Sequence, residues 1–231
     1  MKNPLILLIE TATTTCSVAL SENGHIIALK ELNESNIHAG QITVFIEEVM
    51  LNAKKNYSDL QAVAVSMGPG SYTGLRIGVS TAKGLCYALD IPLIAIDTIE
   101  AMASGLIKTV AIPDTGLLIP MLDARRMEVY TGVYRKDLRL VEAVSAKIVD
   151  EESFKEFEKH QLFLFGDGSD KFKTLFSNHG NINFVDFSTS ASHLNDLAIQ
   201  KFNQAQFEDV AYFEPFYLKD FLVTTPKKDN I

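Results

Sequence analysis

The segment from Ser66 to Gly78, SMGPGSYTGLRIG, is the strongest local signal for anion chemistry. Gly68, Gly70 and Gly74 admit backbone conformations and close approaches closed to other residues. Amide groups at a helix N-terminus bind anions. A phosphate or acyl-phosphate cradle built from Gly68, Gly70, Ser71 and Thr73 is one reading, and a tight packing turn is the other. No Gly-Lys-Ser/Thr follows, so this is not a Walker A loop, and the dinucleotide-binding spacing is also missing. Other constellations are scarce. The histidines His25, His38, His160, His179 and His193 form no metal-ligand spacing with one another or with cysteines. His38 reads as a cap or packing contact near the start of a helix. No Gly-x-Ser-x-Gly or His-Glu-x-x-His occurs, and no catalytic residue is assigned. Asp123-Ala-Arg-Arg stands between two strand-like runs. Its Asp suits turn capping, and Arg125 and Arg126 are either solvated or meet RNA or a partner.

These residues hang on a regular alternation of elements. Leu5–Ile9 is a short buried strand. Residues 16–20 and 25–32 read as two strands joined by the hairpin turn Glu22-Asn23-Gly24. Ile42, Phe45, Ile46, Val49 and Met50 recur at helical spacing from 37 to 54. Ala62–Ser66 is a strand, the glycine-rich loop follows, and a helix runs to about Leu89. Pro92–Ile96 is a strand, and Asp97 or Thr98 caps the next helix. The order is βββαβαβα, ending near Ser104. The second half begins with the strands LLIPML and MEVYTGVYR, with a third over 138–149. Helices are expected over 151–160 (Phe154 and Phe157 inward), 171–178 and 190–207, with a strand at 162–165. The division is therefore 1–104 and 105–231, the second half reduced and its C-terminal segment free to pack back on the first.

The helix after the glycine-rich loop carries an unusually broad apolar face. At ~100° per residue, Leu75, Ile77, Val79, Ala82, Leu85, Cys86 and Leu89 with the glycines span roughly 200°, about twice what a surface helix needs. Gly74, Gly78 and Ala82 line one edge at i, i+4 and i+8, where small residues let a second backbone approach. Coverage by this chain on both sides and coverage by a partner on one side both satisfy the pattern.

Composition narrows the function classes. The 231 residues carry 21 Lys+Arg against 29 Asp+Glu, a net charge of −8. Neutralising phosphates alone needs a basic face, so a stand-alone nucleic-acid binder is excluded, though an acidic subunit of an RNA-handling complex is not. The N-terminal apolar run is too short for a span or a signal peptide. Cys16 and Cys86 lie far apart in apolar surroundings. The chain reads as cytoplasmic, with no membrane partner.

Four segments then occur together: IETATTTCSVALSENG, GPGSYTGLRIG, DARRMEVY and EPFYLK. In this order they resemble the TsaB (YeaZ) family of tRNA threonylcarbamoyladenosine biosynthesis. The resemblance is densest over 4–103 and thin from about 140 to 210. It implies an α/β fold of the actin-like ATPase and sugar kinase type. It implies a non-catalytic subunit that scaffolds and activates TsaD, the paralogue that forms N6-threonylcarbamoyladenosine beside the anticodon. The paralogue's metal-binding histidines fall at Thr98 and Met102, and its first-loop acidic pair at Thr14 and Thr15. Threonine and thioether cannot replace two imidazoles on such a cation. Implied partners are TsaD as a heterodimer, TsaE, tRNA indirectly, and a second copy of this chain when TsaD is absent. The expected seam uses His38, Ile42, Phe45, Gly74, Gly78, Ala82 and Leu85. No cofactor is expected in the isolated chain, with ATP only at the assembled complex. The rival readings are an active actin-fold small-metabolite kinase and a peptidase acting on the partner.

Overall fold

The computed structural model describes residues 4–34 and 37–219. The first half runs β1 (Leu5–Glu10), β2 (Thr15–Glu22), β3 (His25–Asn33), α1 (His38–Asn52), β4 (Ala62–Gly68), α2 (Tyr72–Leu89), β5 (Leu93–Asp97) and α3 (Thr98–Thr109). The second runs β6 (Leu117–Asp123), β7 (Glu128–Arg135), β8 (Leu140–Ile148), β9 (Leu162–Phe165), β10 (Ile182–Val185) and α4 (Asn195–Asn203). The strands make two five-stranded sheets, ordered β3-β2-β1-β4-β5 and β10-β9-β6-β7-β8. Read from the antiparallel edge, the orders are identical: a three-stranded meander, then two parallel strands beside its first member. The chain therefore adopts the expected two-part actin-like α/β fold. Among the described residues, no helix is long and apolar enough to cross a membrane.

The first sheet is covered on both faces, which is why β1 reads as a continuous apolar run. Leu5, Leu7 and Ile9 point toward α1 and α2, packing with Ile42, Phe45, Ile46, Val49, Val79, Ala82 and Cys86. Ile6 and Leu8 point the other way, onto Ala191, Leu194, Leu197 and Ala198. Full burial of each such Leu or Ile contributes about 1.5–3 kcal/mol. Side chains start the helices as expected. Ser71 Oγ accepts from Gly74 N at 3.2 Å, and Asp97 Oδ1 accepts from Glu100 N at 2.9 Å. The β2–β3 hairpin turns through Asn23 and Gly24, at φ 57° and 82°.

The second half departs from expectation in its connections. Residues 151–160 form turns around a 3-10 turn at Lys155–Phe157, and 171–178 are turns after another at Asp170–Phe172. Phe154, Phe157, Phe172 and Phe176 still point inward, onto Leu117, Ile119, Leu162 and Leu164. Their bulk covers the sheet without the length of a helix. The expected helix over 190–207 shortens to α4, preceded by a 3-10 turn at Ala191–Leu194. The strand β10 was not anticipated. The helix α3 continues past residue 104 and packs Ile99, Met102, Ala103 and Leu106 on the second sheet's inner face.

Candidate functional site

The glycine-rich loop is occupied by its own chain. Ser71 N donates to Ala12 O at 2.7 Å, and Ser71 Oγ is committed to capping α2. A Cβ at Gly70 would meet Ala12, and one at Gly74 would overlap the carbonyl oxygen of Thr11. Gly68, at φ 116°, lies against the Phe216 carbonyl, and Phe216 N donates to Met67 O at 2.8 Å. The loop is a packing turn that locks α2 onto the β1–β2 turn. Of the residues expected to form a cradle, Gly68, Gly70 and Ser71 make internal contacts, and Thr73 is an exposed residue of the first turn of α2.

The same contacts reach the residues expected at the seam. Gly78 faces the Thr11 hydroxyl, and Gly74, Gly78 and Ala82 are all buried within this chain. His38, Ile42 and Phe45 are likewise interior, with His38 Nε2 3.3 Å from Thr15 O. The small-residue edge of α2 therefore admits the β1–β2 turn rather than a foreign helix. The open side lies between α1 and α2. There a groove of about 340 Å3 is lined by Thr43, Ile46, Tyr57, Ser80, Thr81, Gly84 and Leu85. Exposed apolar residues belong to the same two helices: Val44, Leu51 (74%) and Tyr87 (85%). Sequence reasoning placed Leu85 here but missed Gly84, Thr43 and Ser80, because polar and small residues at helical spacing look like an ordinary wet face.

Between the halves the space is small. Thr13, Thr14, Thr15 and Asn33 face Gly166, Asp167, Phe187, Ser188 and Thr189 across a cavity of about 30 Å3. That is far below the roughly 300–1,000 Å3 of a small-molecule site. Thr13 Oγ1 and Thr189 Oγ1 bridge the two walls at 2.7 Å. Glu10, the last residue of β1, is buried, and its Oε1 accepts from Ala12 N at 2.6 Å. Burial pushes the Glu10 carboxyl up to about 7, against the opposing pull of hydrogen bonds from Ala12, Ser66 and Thr11. Burial also raises the thiols of Cys16 and Cys86 to about 11, with Glu10 adding to the effect at Cys16. Thr98 and Met102 are both buried, Met102 in the apolar core between α3 and the second sheet. Among the described residues, no three of His, Cys, Asp or Glu group as metal ligands.

Two features lie outside the cleft. The β6–β7 turn holds Arg125 and Arg126 at φ 70° and 52°, which costs non-glycine residues roughly 1–2 kcal/mol each. Arg125 N donates to Asp123 Oδ1 at 3.3 Å, the Asp cap expected of this turn. The segment 208–219 forms a strap. It starts on β5 through Glu208 N to Leu93 O at 2.9 Å and crosses α2, where Lys83 Nζ donates to Phe213 O at 2.8 Å. It stacks Tyr217 on Tyr72 at 4.7 Å and pairs Lys219 with Glu128 of β7. The basic tail residues Lys227 and Lys228 lie outside the described residues.

The structure also exposes an internal echo. Gly68-Pro-Gly-Ser71 ends β4, and Gly166-Asp-Gly-Ser169 ends β9, the equivalent strand. Both first glycines have positive φ, 116° and 99°. Each loop is tied to its neighbouring turn or strand, through Ser71 N to Ala12 O and Gly168 N to Met121 O. The shared Gly-x-Gly-Ser was a visible signal of the fold repeat.

Comparisons with known proteins place this arrangement. The family model described as TsaD, tRNA N6-adenosine threonylcarbamoyltransferase, matches residues 32–228. The tRNA threonylcarbamoyladenosine biosynthesis protein TsaB of Bacillus subtilis is 34% identical over 169 residues, covering 71% of this chain and 72% of that protein. The TsaB of Haemophilus influenzae is 27% identical over 95% of each chain. The solved structure of YeaZ from Pseudomonas aeruginosa superposes with a TM-score of 0.76 at 21% identity, covering 93% of this chain and all of the other.

Proposed function

The chain belongs to the TsaB (YeaZ) family of tRNA threonylcarbamoyladenosine biosynthesis proteins, and from that premise we propose that it is the non-catalytic subunit that pairs with and activates TsaD. The observation that carries this reading is the state of the cleft. The cavity of about 30 Å3 that Thr13 and Thr189 bridge is small beside a ligand pocket, which supports this reading. The positions that correspond to the paralogue's histidines hold Thr98 and Met102, both buried. These replacements support the non-catalytic reading over a metabolite kinase. ATP enters only at the assembled complex, where TsaD and TsaE supply what this chain lacks.

The docking face is the groove between α1 and α2. Its wall includes Gly84, where nothing lies within 4 Å of an added Cβ, and Leu85, which is half-buried. Exposed Leu51 and Tyr87 on those helices supply apolar area for a helical seam. A second copy of this chain occupies the same face when TsaD is absent, in the cytoplasm where tRNA is modified.

Reconstitution tests the reading. Purified chain, TsaD and TsaE are incubated with a tRNA transcript, ATP and threonylcarbamoyl donor, with each protein omitted in turn. The expected result is modification only when both this chain and TsaD are present. Modification by this chain without TsaD would sink the non-catalytic reading. Phosphate transfer to a small metabolite would favour the kinase.

A further inference from the structure

Resting on the reading that this chain works in a tRNA-modifying complex, we infer that the β6–β7 turn grips the RNA phosphate backbone through Arg125 and Arg126. The charge arrangement around the turn singles these two out. Lys171 Nζ is held by Asp123 Oδ1 at 2.5 Å and by Glu128 O at 2.6 Å. Lys219 is paired with Glu128. The carboxylates of the turn are thus already engaged by lysines. Neither arginine side chain has an ion pair or hydrogen bond among the described residues, and both residues are exposed.

The backbone explains why they project. With φ positive at both residues, the turn is narrow, closed by Ala124 N to Glu128 O at 3.1 Å and Glu128 N to Arg125 O at 3.3 Å. Two consecutive guanidiniums are therefore carried on one short turn. The strap extends the same surface. Beyond Lys219 comes Tyr217, whose hydroxyl accepts from Arg76 Nε at 3.2 Å and whose ring packs on Tyr72.

Guanidinium forks match phosphate oxygens in geometry and stay charged at every working pH. Two unpaired guanidiniums side by side on one turn suit an RNA phosphate backbone. The net charge of −8 means that the contact cannot rest on bulk charge. It must be a local grip that adds to binding by the partner subunit. The turn contributes affinity and placement, not base identity.

The test uses the complex of this chain with TsaD and an unmodified tRNA transcript. Affinity is measured between about 50 and 200 mM salt. The variant is Arg125→Gly with Arg126→Gly, since glycine keeps the left-handed turn while removing both charges. Each lost phosphate contact lowers the salt slope by about 0.7–0.9, so the pair should lower it by roughly 1.4–1.8. The affinity advantage of the wild type should then shrink about tenfold across that salt range. Arg125→Lys with Arg126→Lys should restore most of the slope. Lys136→Ala with Arg139→Ala removes two cations that already have carboxylate partners, and it should leave the slope unchanged. An unchanged slope in the glycine variant overturns the inference. So does a glycine variant that pairs more weakly with TsaD while the complex, assembled at saturating TsaD, binds tRNA with the wild-type slope, since that marks a protein contact. A wild-type complex that binds tRNA but never modifies it breaks the functional reading and leaves this binding result to stand or fall separately.

Discussion

Gly74 and Gly84 lie on one helix, and the same substitution at each should move stability in opposite directions. Replacing an interior helical glycine by alanine gains about 0.8–1.0 kcal/mol of helix propensity. At Gly84 nothing lies within 4 Å of the added Cβ, so the whole gain is realised. For a domain of this size that raises the melting temperature by about 2–4 °C. At Gly74 the added Cβ overlaps the carbonyl oxygen of Thr11, a backbone atom held beside the buried end of β1. Overpacking of this kind costs ~1–3 kcal/mol, which exceeds the propensity gain. The expected net loss is up to ~2 kcal/mol, a fall of as much as about 8 °C. Urea titration of the two variants beside the wild type reads both signs, with unchanged slopes showing that the transition itself is the same. A third variant, Gly84→Leu, separates fold from assembly. The helix gains as it does with alanine, but the groove is filled, and pairing with TsaD should weaken about tenfold to a hundredfold. The reasoning fails if Gly84→Ala destabilises as Gly74→Ala does, since the groove would then be closed. It fails equally if Gly84→Leu pairs normally.

Glu10 should make stability depend on pH. Its carboxyl sits near 7 when folded and 4.5 when unfolded, so the folded state holds more protons between those values. This group's contribution is complete below about pH 4.5 and lost as pH rises to about 7, on the order of 3 kcal/mol. Glu10→Gln should flatten that slope in urea midpoints taken from pH 5 to 8, and an unaltered slope would refute it. Phe172→Ala, at a fully buried position under the second sheet, should cost ~3–5 kcal/mol, read by chemical denaturation. Tyr217→Ala should cost about 1 kcal/mol through loss of its ring contact with Tyr72. Tyr217→Phe should recover the ring contact, and a Phe variant as weak as the Ala variant would assign the effect to the Arg76 bond instead.

The first half was legible because its elements are long and strictly periodic. The α1 stripe of Ile42, Phe45, Ile46, Val49 and Met50 has no competing interpretation, and Asn23-Gly24 is a strong hairpin turn. The second half was harder for a physical reason. Phe154 and Phe157 stand three apart, which suits a helix and a 3-10 turn equally. One large ring covers as much sheet as a longer stretch of smaller side chains would. The strand β10 has only four residues, each half-buried at a sheet edge, so neither alternation nor a solid apolar run marks it. The candidate site suffered from a different ambiguity. Periodicity shows that Gly74, Gly78 and Ala82 share an edge, but not what fills the space beside them. Only the fold reveals that Thr11 does. The turn at Asp123 was legible as a capped turn. The left-handed backbone at Arg125 and Arg126 was not, because arginine carries no conformational signature of its own.

The cover on the inner face of the first sheet has a bearing on how the protein is made. Ile6, Leu8, Ile94 and Ile96 are sealed by Ala191, Leu194, Leu197 and Ala198, which the ribosome supplies about a hundred residues after β5. At ~5–20 residues per second, that is an interval of roughly 5–20 s. During it the nascent first half already has its five strands, α1 and α2, but one oily face still waits for its lid. A chain released before residue 191 would be left in that state permanently. Truncated products should therefore be drawn to chaperones or degraded rather than compete with the finished subunit for its partner.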